Sequence, residues 1–276
     1  MDNGQGLAPP LSATGGIPSV CMSIETTKLF GIDLHRVTME QSIDTLLEWM
    51  SDDAPCRYVV TPNVDHIVKL QSDVEMHQAY QRASLVVADG WPLVTASRLL
   101  GSPLPERVAG SDLVPALLAA GSQIPGFRVF LLGAAAGVGL KAADQIRARW
   151  PQVDVCGVAS PRFGFDTDSG ESQDVVAAIN AAAAHLLVVG LGAPRQETWL
   201  CKYAEQLNAR VAIAAGATID FLAGVQTRAP RWIRAIRMEW LFRLLSDPRR
   251  LAQRYAVDAV VFPRLVLAEW WRSRRA

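Results

Sequence analysis

Leu186-Leu187-Val188-Val189-Gly190-Leu191-Gly192-Ala193-Pro194-Arg195-Gln196-Glu197 joins an apolar run to a Gly-Gly-Pro turn and then to a helical first turn. A strand made only of apolar residues has no face to give to water, so it must be covered on both sides. The same punctuation recurs outward in both directions. Tyr58–Thr61, Leu85–Asp89, Val129–Gly133 and Val211–Gly216 are short apolar runs, rich in Val, Leu, Ile and Ala, that end in Thr, Asp or Gly. Helical stretches lie between them. Thr38-Met39-Glu40-Gln41 reads as a capping box, Trp91-Pro92 opens a helix toward Leu100, and Ser111 reads as the cap of Leu113–Ala120. Ala142–Trp150, Val175–Ala184 and a helix from Pro194 through Leu207 complete the set. Alternating strands and helices predict an α/β fold, a Rossmann-like parallel sheet flanked by helices. In such a sheet, ligands bind beyond the carboxyl ends of the strands.

The strand–helix alternation stops between Gly224 and Arg231. Residues 228–276 hold 12 Arg against 4 acidic residues, whereas the whole chain has no net charge. That segment also holds Trp232, Trp240, Trp270 and Trp271. It reads as a basic, Trp-rich, C-terminal helical appendage whose partner is an anionic surface. Ile233, Ile236, Trp240 and Leu244 would share one face of a helix over 231–245, with Arg231 and Arg234 largely opposite; Asp247-Pro248 ends it. Residues 1–27 read as a disordered leader without signal-peptide character, and 28–227 as the α/β catalytic domain. No apolar run reaches 18 residues, and the four cysteines are far apart in sequence, which fits a reducing compartment.

Five clusters could carry chemistry, and three of the most distinctive fall at strand ends. Thr61-Pro62-Asn63 offers uncharged hydrogen bonds suited to sugar hydroxyls, or simply a turn and a helix cap. Asp89 ends a strand in Ala88-Asp89-Gly90. It reads either as a carboxylate raised by burial toward general-base range or as a helix cap. Arg107, followed by Gly110-Ser111, precedes a helix, an arrangement that suits a phosphate or an ordinary solvated loop. Gly190, Gly192 and Gln196 resemble part of a dinucleotide fingerprint, but Gln196 stands where the third glycine belongs. Asp220, within Gly216–Phe221, is placed to close over a ribose or base, or to form a plain turn. Gly133–Gly139 is either a phosphate cradle or a tight turn. No His, Cys, Asp and Glu set has metal-ligand spacing, and no DxD pair occurs, so the expectation is no metal and no cofactor.

Taken in order, these clusters resemble the WecG/TagA/CpsF family, glycosyltransferase family 26. The likeness rests on Thr61-Pro62-Asn63, Ala88-Asp89-Gly90, Arg107–Leu113, Gly190–Glu197, Arg228-Ala229-Pro230-Arg231-Trp232 and Glu239–Leu244. The resemblance implies an inverting, metal-independent transfer from a UDP-sugar to an undecaprenyl-diphosphate-linked acceptor in surface-polysaccharide synthesis. The sugar would be N-acetylmannosamine, its uronic acid or glucose. It implies Asp89 as general base, Thr61, Asn63 and Gln196 as pocket residues, and Arg228, Arg231, Arg237 and Arg243 as the arginines that the appendage brings to the diphosphate. It also implies peripheral attachment to the cytoplasmic face of the inner membrane, no nucleic-acid partner, and possible homo-oligomers. Two other classes remain open at this point: a nucleotide-cofactor oxidoreductase and a non-catalytic adaptor of polysaccharide assembly.

Overall fold

A computed structural model describes residues 24–275. The first 23 residues of the expected leader, Cys21 among them, lie outside the described residues. Thr26 and Thr27 correct its boundary. They begin strand β1 (Thr26–Leu29), which pairs antiparallel with β2 (Ile32–His35) across a Phe30-Gly31 turn. Both turn residues have positive φ, 55° and 85°, the backbone that a two-residue hairpin demands.

The chain continues through α1 (Met39–Ser51), β3 (Arg57–Val60), α2 (Val64–Leu70), α3 (Val74–Arg82) and β4 (Leu85–Val86). Thr38 and Gln41 form the expected capping box of α1. Then come α4 (Trp91–Leu99), α5 (Gly110–Gly121), β5 (Arg128–Gly133), α6 (Val138–Arg149) and β6 (Asp154–Ala159). The series α7 (Ser169–Ala181), β7 (Leu186–Gly190), α8 (Arg195–Tyr203), β8 (Val211–Ala214) and α9 (Thr218–Leu222) finishes the α/β part. The six strands β3–β8 form one parallel sheet in the order β4-β3-β8-β7-β5-β6. Strand β6 was not foreseen: Asp154, Cys156 and Gly157 dilute its apolar pattern, as an edge strand allows. At the other edge the β1–β2 hairpin covers β4, and His35 Nδ1 accepts the Val86 N–H at 3.0 Å.

Right-handed crossovers put the helices on opposite faces according to the direction in which the chain steps across the sheet. Helices α2, α3, α7 and α8 cover one face, where Ile67, Tyr80, Ile179 and Trp199 pack. Helices α1, α5, α6 and α9 cover the other, with Leu46, Leu117, Ile146 and Ile219. After β8 the chain therefore leaves to the face opposite that taken after its two neighbours, β3 and β7. Such a divergence opens a crevice at the strand ends.

Beyond Arg228 the chain forms α10 (Arg231–Ala235), α11 (Glu239–Ser246) and α12 (Pro248–Ser273). The single helix expected over 231–245 is broken. Arg237 takes a left-handed backbone, φ 63°, and Met238 N bonds Ile233 O instead of continuing the ladder. As a result Ile236 and Trp240 are exposed. Arg234, expected to face away, turns back on the body. Helix α12 lies against α2, and its buried Phe262 packs on Phe30 at 5.5 Å between ring centroids.

Candidate active site

Asp89 is held from both sides. Its N–H donates to Pro62 O at 2.8 Å, and the preceding Ala88 carbonyl accepts from Val108 N at 2.9 Å. The same strap that fixes the aspartate fixes Arg107, next to Val108. Arg107 Nη1 lies 3.5 Å from Asp89 Oδ1, and Nη2 lies 2.5 Å from Asp112 Oδ2. The Asp89 side chain keeps 27% of its surface and lines a cleft of about 710 Å³ at the ends of β3, β7 and β8. That volume suits a small-molecule substrate.

Burial pushes the Asp89 carboxyl up to about 6; Arg107 and Arg243 pull it down, and the nearby Glu239 and Asp112 push it up. A carboxylate in this range is ionised at neutral pH and still basic enough to accept a proton from a hydroxyl in a transition state.

Helix α11 closes the cleft from above. Arg243 lines it, donates to Glu239 Oε1 at 2.7 Å, and lies over the Phe221 ring. Glu239 Oε2 reaches Arg107 Nη1 at 3.6 Å. Arg228 donates to Ser111 O at 3.0 Å and Oγ at 3.1 Å, and pairs with Asp112 at 2.6 Å; Arg234 joins Asp112 at 3.4 Å. Ser111 is thus no helix cap: Ala109 occupies that position, and the serine hydroxyl receives Arg228 instead. Arg237 stands outside the cleft lining, stacked over Trp91 at 4.0 Å. Arg231 opens α10, and its side chain lies outside the described residues.

Of the remaining expected residues, Asn63, Gly190, Gly192, Gln196 and Asp220 line the cleft, and Thr61 does not. The Thr61 hydroxyl is buried and donates to Ala214 O at 3.3 Å, tying β3 to β8. Asn63 both caps α2, accepting from His66 N, and faces the cleft. The Gln196 side chain is buried. Its Oε1 accepts from Gly192 N at 3.3 Å and Gly216 N at 3.1 Å, so one amide ties the loops after β7 and β8 together. The Gly192 N–H that would meet a pyrophosphate in a dinucleotide fingerprint is therefore already taken. Gly133–Gly139 resolves as a tight turn: a Cβ on Gly133 would fall 2.6 Å from Gly190 O, and the segment stands apart from the cleft.

Several residues in and beside the cleft had not been singled out from the sequence. Glu197, fully buried beside Gln196, accepts from Gln196 Nε2 at 2.8 Å and so orients that amide. Burial pushes its carboxyl up to about 7. His66 contacts Tyr80 OH at 2.7 Å and is pushed down to about 4 by burial. Lys69 and Arg254 flank Asp65 at the far end of the cleft, at 2.9 and 3.7 Å. Among the described residues, no three His, Cys, Asp or Glu side chains converge as metal ligands. The charges facing Asp89 are guanidinium groups and carboxylates.

The profile of the family described as "Glycosyl transferase WecG/TagA/CpsF family" matches residues 27–276. Similar curated proteins include the "N-acetylglucosaminyldiphosphoundecaprenol N-acetyl-beta-D-mannosaminyltransferase" of Staphylococcus aureus strains MRSA252 and MW2. Each is 28% identical over 239 residues, covering 85% of this chain and 90% of the relative.

Proposed function

The chain belongs to the glycosyl transferase WecG/TagA/CpsF family and is a glycosyltransferase, and on that premise we propose that it moves N-acetylmannosamine from a UDP-sugar to undecaprenyl-diphosphate-linked N-acetylglucosamine. The acceptor and the sugar follow the names of the relatives. The observation that carries the chemistry is Asp89, raised by burial to about 6, at the mouth of a strand-end cleft with Arg107 and Arg243 beside it.

In this reading Asp89 takes the proton of the acceptor hydroxyl as that oxygen attacks the anomeric carbon from the face opposite the nucleotide. The bond from the anomeric carbon to the diphosphate oxygen breaks with inversion. Negative charge then grows on the departing UDP, and fixed guanidinium groups stabilise it most where it is largest, in the transition state. Arg107 and Arg243 are the nearest candidates, with Arg228 behind them and Arg237 as an outer contact; Arg231, whose side chain lies outside the described residues, is a candidate from the family resemblance alone. Asn63 and Asp220 are placed to bind sugar and ribose hydroxyls. Gln196 acts on the substrate through the loops it joins, and Thr61 supports the floor. Transfer proceeds without a metal ion.

The exposed face of the last helices supports attachment to the membrane that holds the acceptor. Trp232 is 67% and Leu245 73% exposed, and Trp271 is exposed near Arg272, Arg274 and Arg275. No helix among the described residues is long and apolar enough to cross a membrane. A peripheral site on the inner leaflet, at the cytoplasmic face, fits both facts.

The test is UDP release from UDP-N-acetylmannosamine with a short-chain lipid-diphosphate acceptor. Asp89→Asn should lower kcat by roughly 10²–10⁴-fold with donor affinity kept, and EDTA should leave the wild-type rate unchanged. Normal turnover in the variant, or activity lost to chelator and restored by magnesium, would overturn the assignment.

A further inference from the structure

Glu239 sits where an anion belongs. Its two carboxylate oxygens engage two different arginines: Oε1 on Arg243 at 2.7 Å and Oε2 on Arg107 at 3.6 Å. Those guanidinium groups flank Asp89, and the Glu239 side chain keeps only 15% of its surface. A like charge this close to Asp89 is unfavourable in itself, and it raises the proton affinity of that aspartate.

The charge balance points the same way. Around Asp89, Arg107, Arg228, Arg234 and Arg243 meet Asp89, Asp112 and Glu239, four guanidinium groups against three carboxylates. With all three ionised the cluster is left at +1. A nucleotide-sugar diphosphate brings roughly two negative charges. The cluster as it stands is too nearly neutral to hold them, so one carboxylate has to give way. Asp112 is held by three arginines, two of them at 2.5 and 2.6 Å. Asp89 is fixed by the backbone straps on both sides. Among the described residues, the one ion pair of Glu239 with the α/β part is the 3.6 Å approach to Arg107. Glu239 starts a short helix two residues after Arg237, whose backbone is left-handed.

We propose that Glu239 is an internal stand-in for the donor's diphosphate, which the donor displaces from Arg107 and Arg243 on binding and which returns to expel the nucleotide after transfer. This rests on the reading of the cleft as the site of a sugar–nucleoside diphosphate. Glu239 sets the affinity of the site because the arginines are open to the ligand only for the fraction of time that the carboxylate is away. The residue contacts neither sugar nor acceptor.

The experiment measures the dissociation constants of UDP and of inorganic pyrophosphate, by calorimetry, for the full chain and for Glu239→Gln and Glu239→Ala. Apparent affinity is reduced by the fraction of competent sites, so a stand-in present about nine-tenths of the time weakens binding about tenfold. Both variants should bind both anions about tenfold more tightly than wild type, with KM for the donor falling and kcat falling with slower UDP release. Loss of fold cannot imitate tighter binding. Unchanged or weaker binding of both anions by the variants overturns the proposal. Failure of the wild-type chain to bind either anion at all would instead overturn the reading of the cleft itself, and the proposal with it.

Discussion

Replacing Arg107 by Gln removes the cation closest to Asp89 while keeping a neutral, polar side chain. Two unit charges at 3.5 Å interact by about 5 kcal/mol at an effective dielectric constant of ~20. Water at the cleft mouth screens part of this, which leaves roughly 1.4–2.8 kcal/mol, or about one to two decades in proton affinity. Arg107 is the strongest of the groups that pull the Asp89 carboxyl down from the value burial alone would give. Without it the acid limb of kcat/KM should move from about pH 6 to about pH 7–8. At pH 7 the ionised fraction would then drop from about nine-tenths to between one-half and one-tenth. On the proposed mechanism the variant also loses a guanidinium beside the leaving diphosphate, which should cost about 10²-fold more at every pH. The two losses separate on a pH–rate profile from pH 5 to 9. The first shrinks as pH rises, and the second persists at pH 9. A variant whose acid limb stays at pH 6 would refute the idea that Arg107 tunes the base, whatever its rate.

Other expectations follow from the buried groups and the exposed tail. The Glu197 carboxyl is raised from 4.5 to about 7 by burial, so the folded chain holds its proton more tightly than the unfolded one. That contribution is fully present below pH 4.5 and is lost as pH rises through 7, to a total of about 3 kcal/mol. Glu197→Gln should therefore gain stability relative to wild type at pH 8.5 but not at pH 5, by urea unfolding at both values. A relative stability that does not depend on pH would show that the carboxyl is not held protonated. Changing Trp232, Trp240 and Trp271 together to Ser removes exposed apolar surface without touching the core. Sedimentation with anionic liposomes should fall at least about tenfold with the melting temperature unchanged; full sedimentation of this variant would sink the membrane role of the tail.

The fold was legible because the strands β3, β5, β7 and β8 are apolar on both faces, and only a covered parallel sheet accommodates that. The limits of the reading are physical as well. Strand β6 sits at an edge, so its Cys and Gly weaken no buried ladder on the outer side, and its pattern fades accordingly. Strand β4 stops at Val86, although the Val87 and Asp89 N–H groups still bond Val60 and Pro62 carbonyls, because Pro62 has no N–H to return the next ladder bond. The expected helix over 231–245 failed because periodicity registers the apolar face. It does not register a single left-handed residue such as Arg237, and that one position decides where the chain turns.

The site was legible only in the parts that lie on one strand end. Asp89, Asn63 and the Gly190–Gln196 turn each carry a local signature. Thr61 carries the same signature and yet faces β8, since sequence fixes that a hydroxyl is near the strand end but not which way the pleat turns it. The charge network has no local signature at all: Asp112 meets Arg234 across 122 positions, and Arg228 meets Ser111 across 117. From sequence the appendage looks like a surplus of eight positive charges. In the folded chain Arg228 and Arg234 are paired to Asp112, and Arg254 approaches Asp65, both acids outside the appendage, so that surplus cannot all serve the membrane or the nucleotide. An arginine already paired to a carboxylate offers its full charge to a leaving group only after that carboxylate moves away. The charge available for the reaction is therefore set by which pairs open, and among the pairs around Asp89 the longest and most weakly anchored contact is that of Glu239 with Arg107.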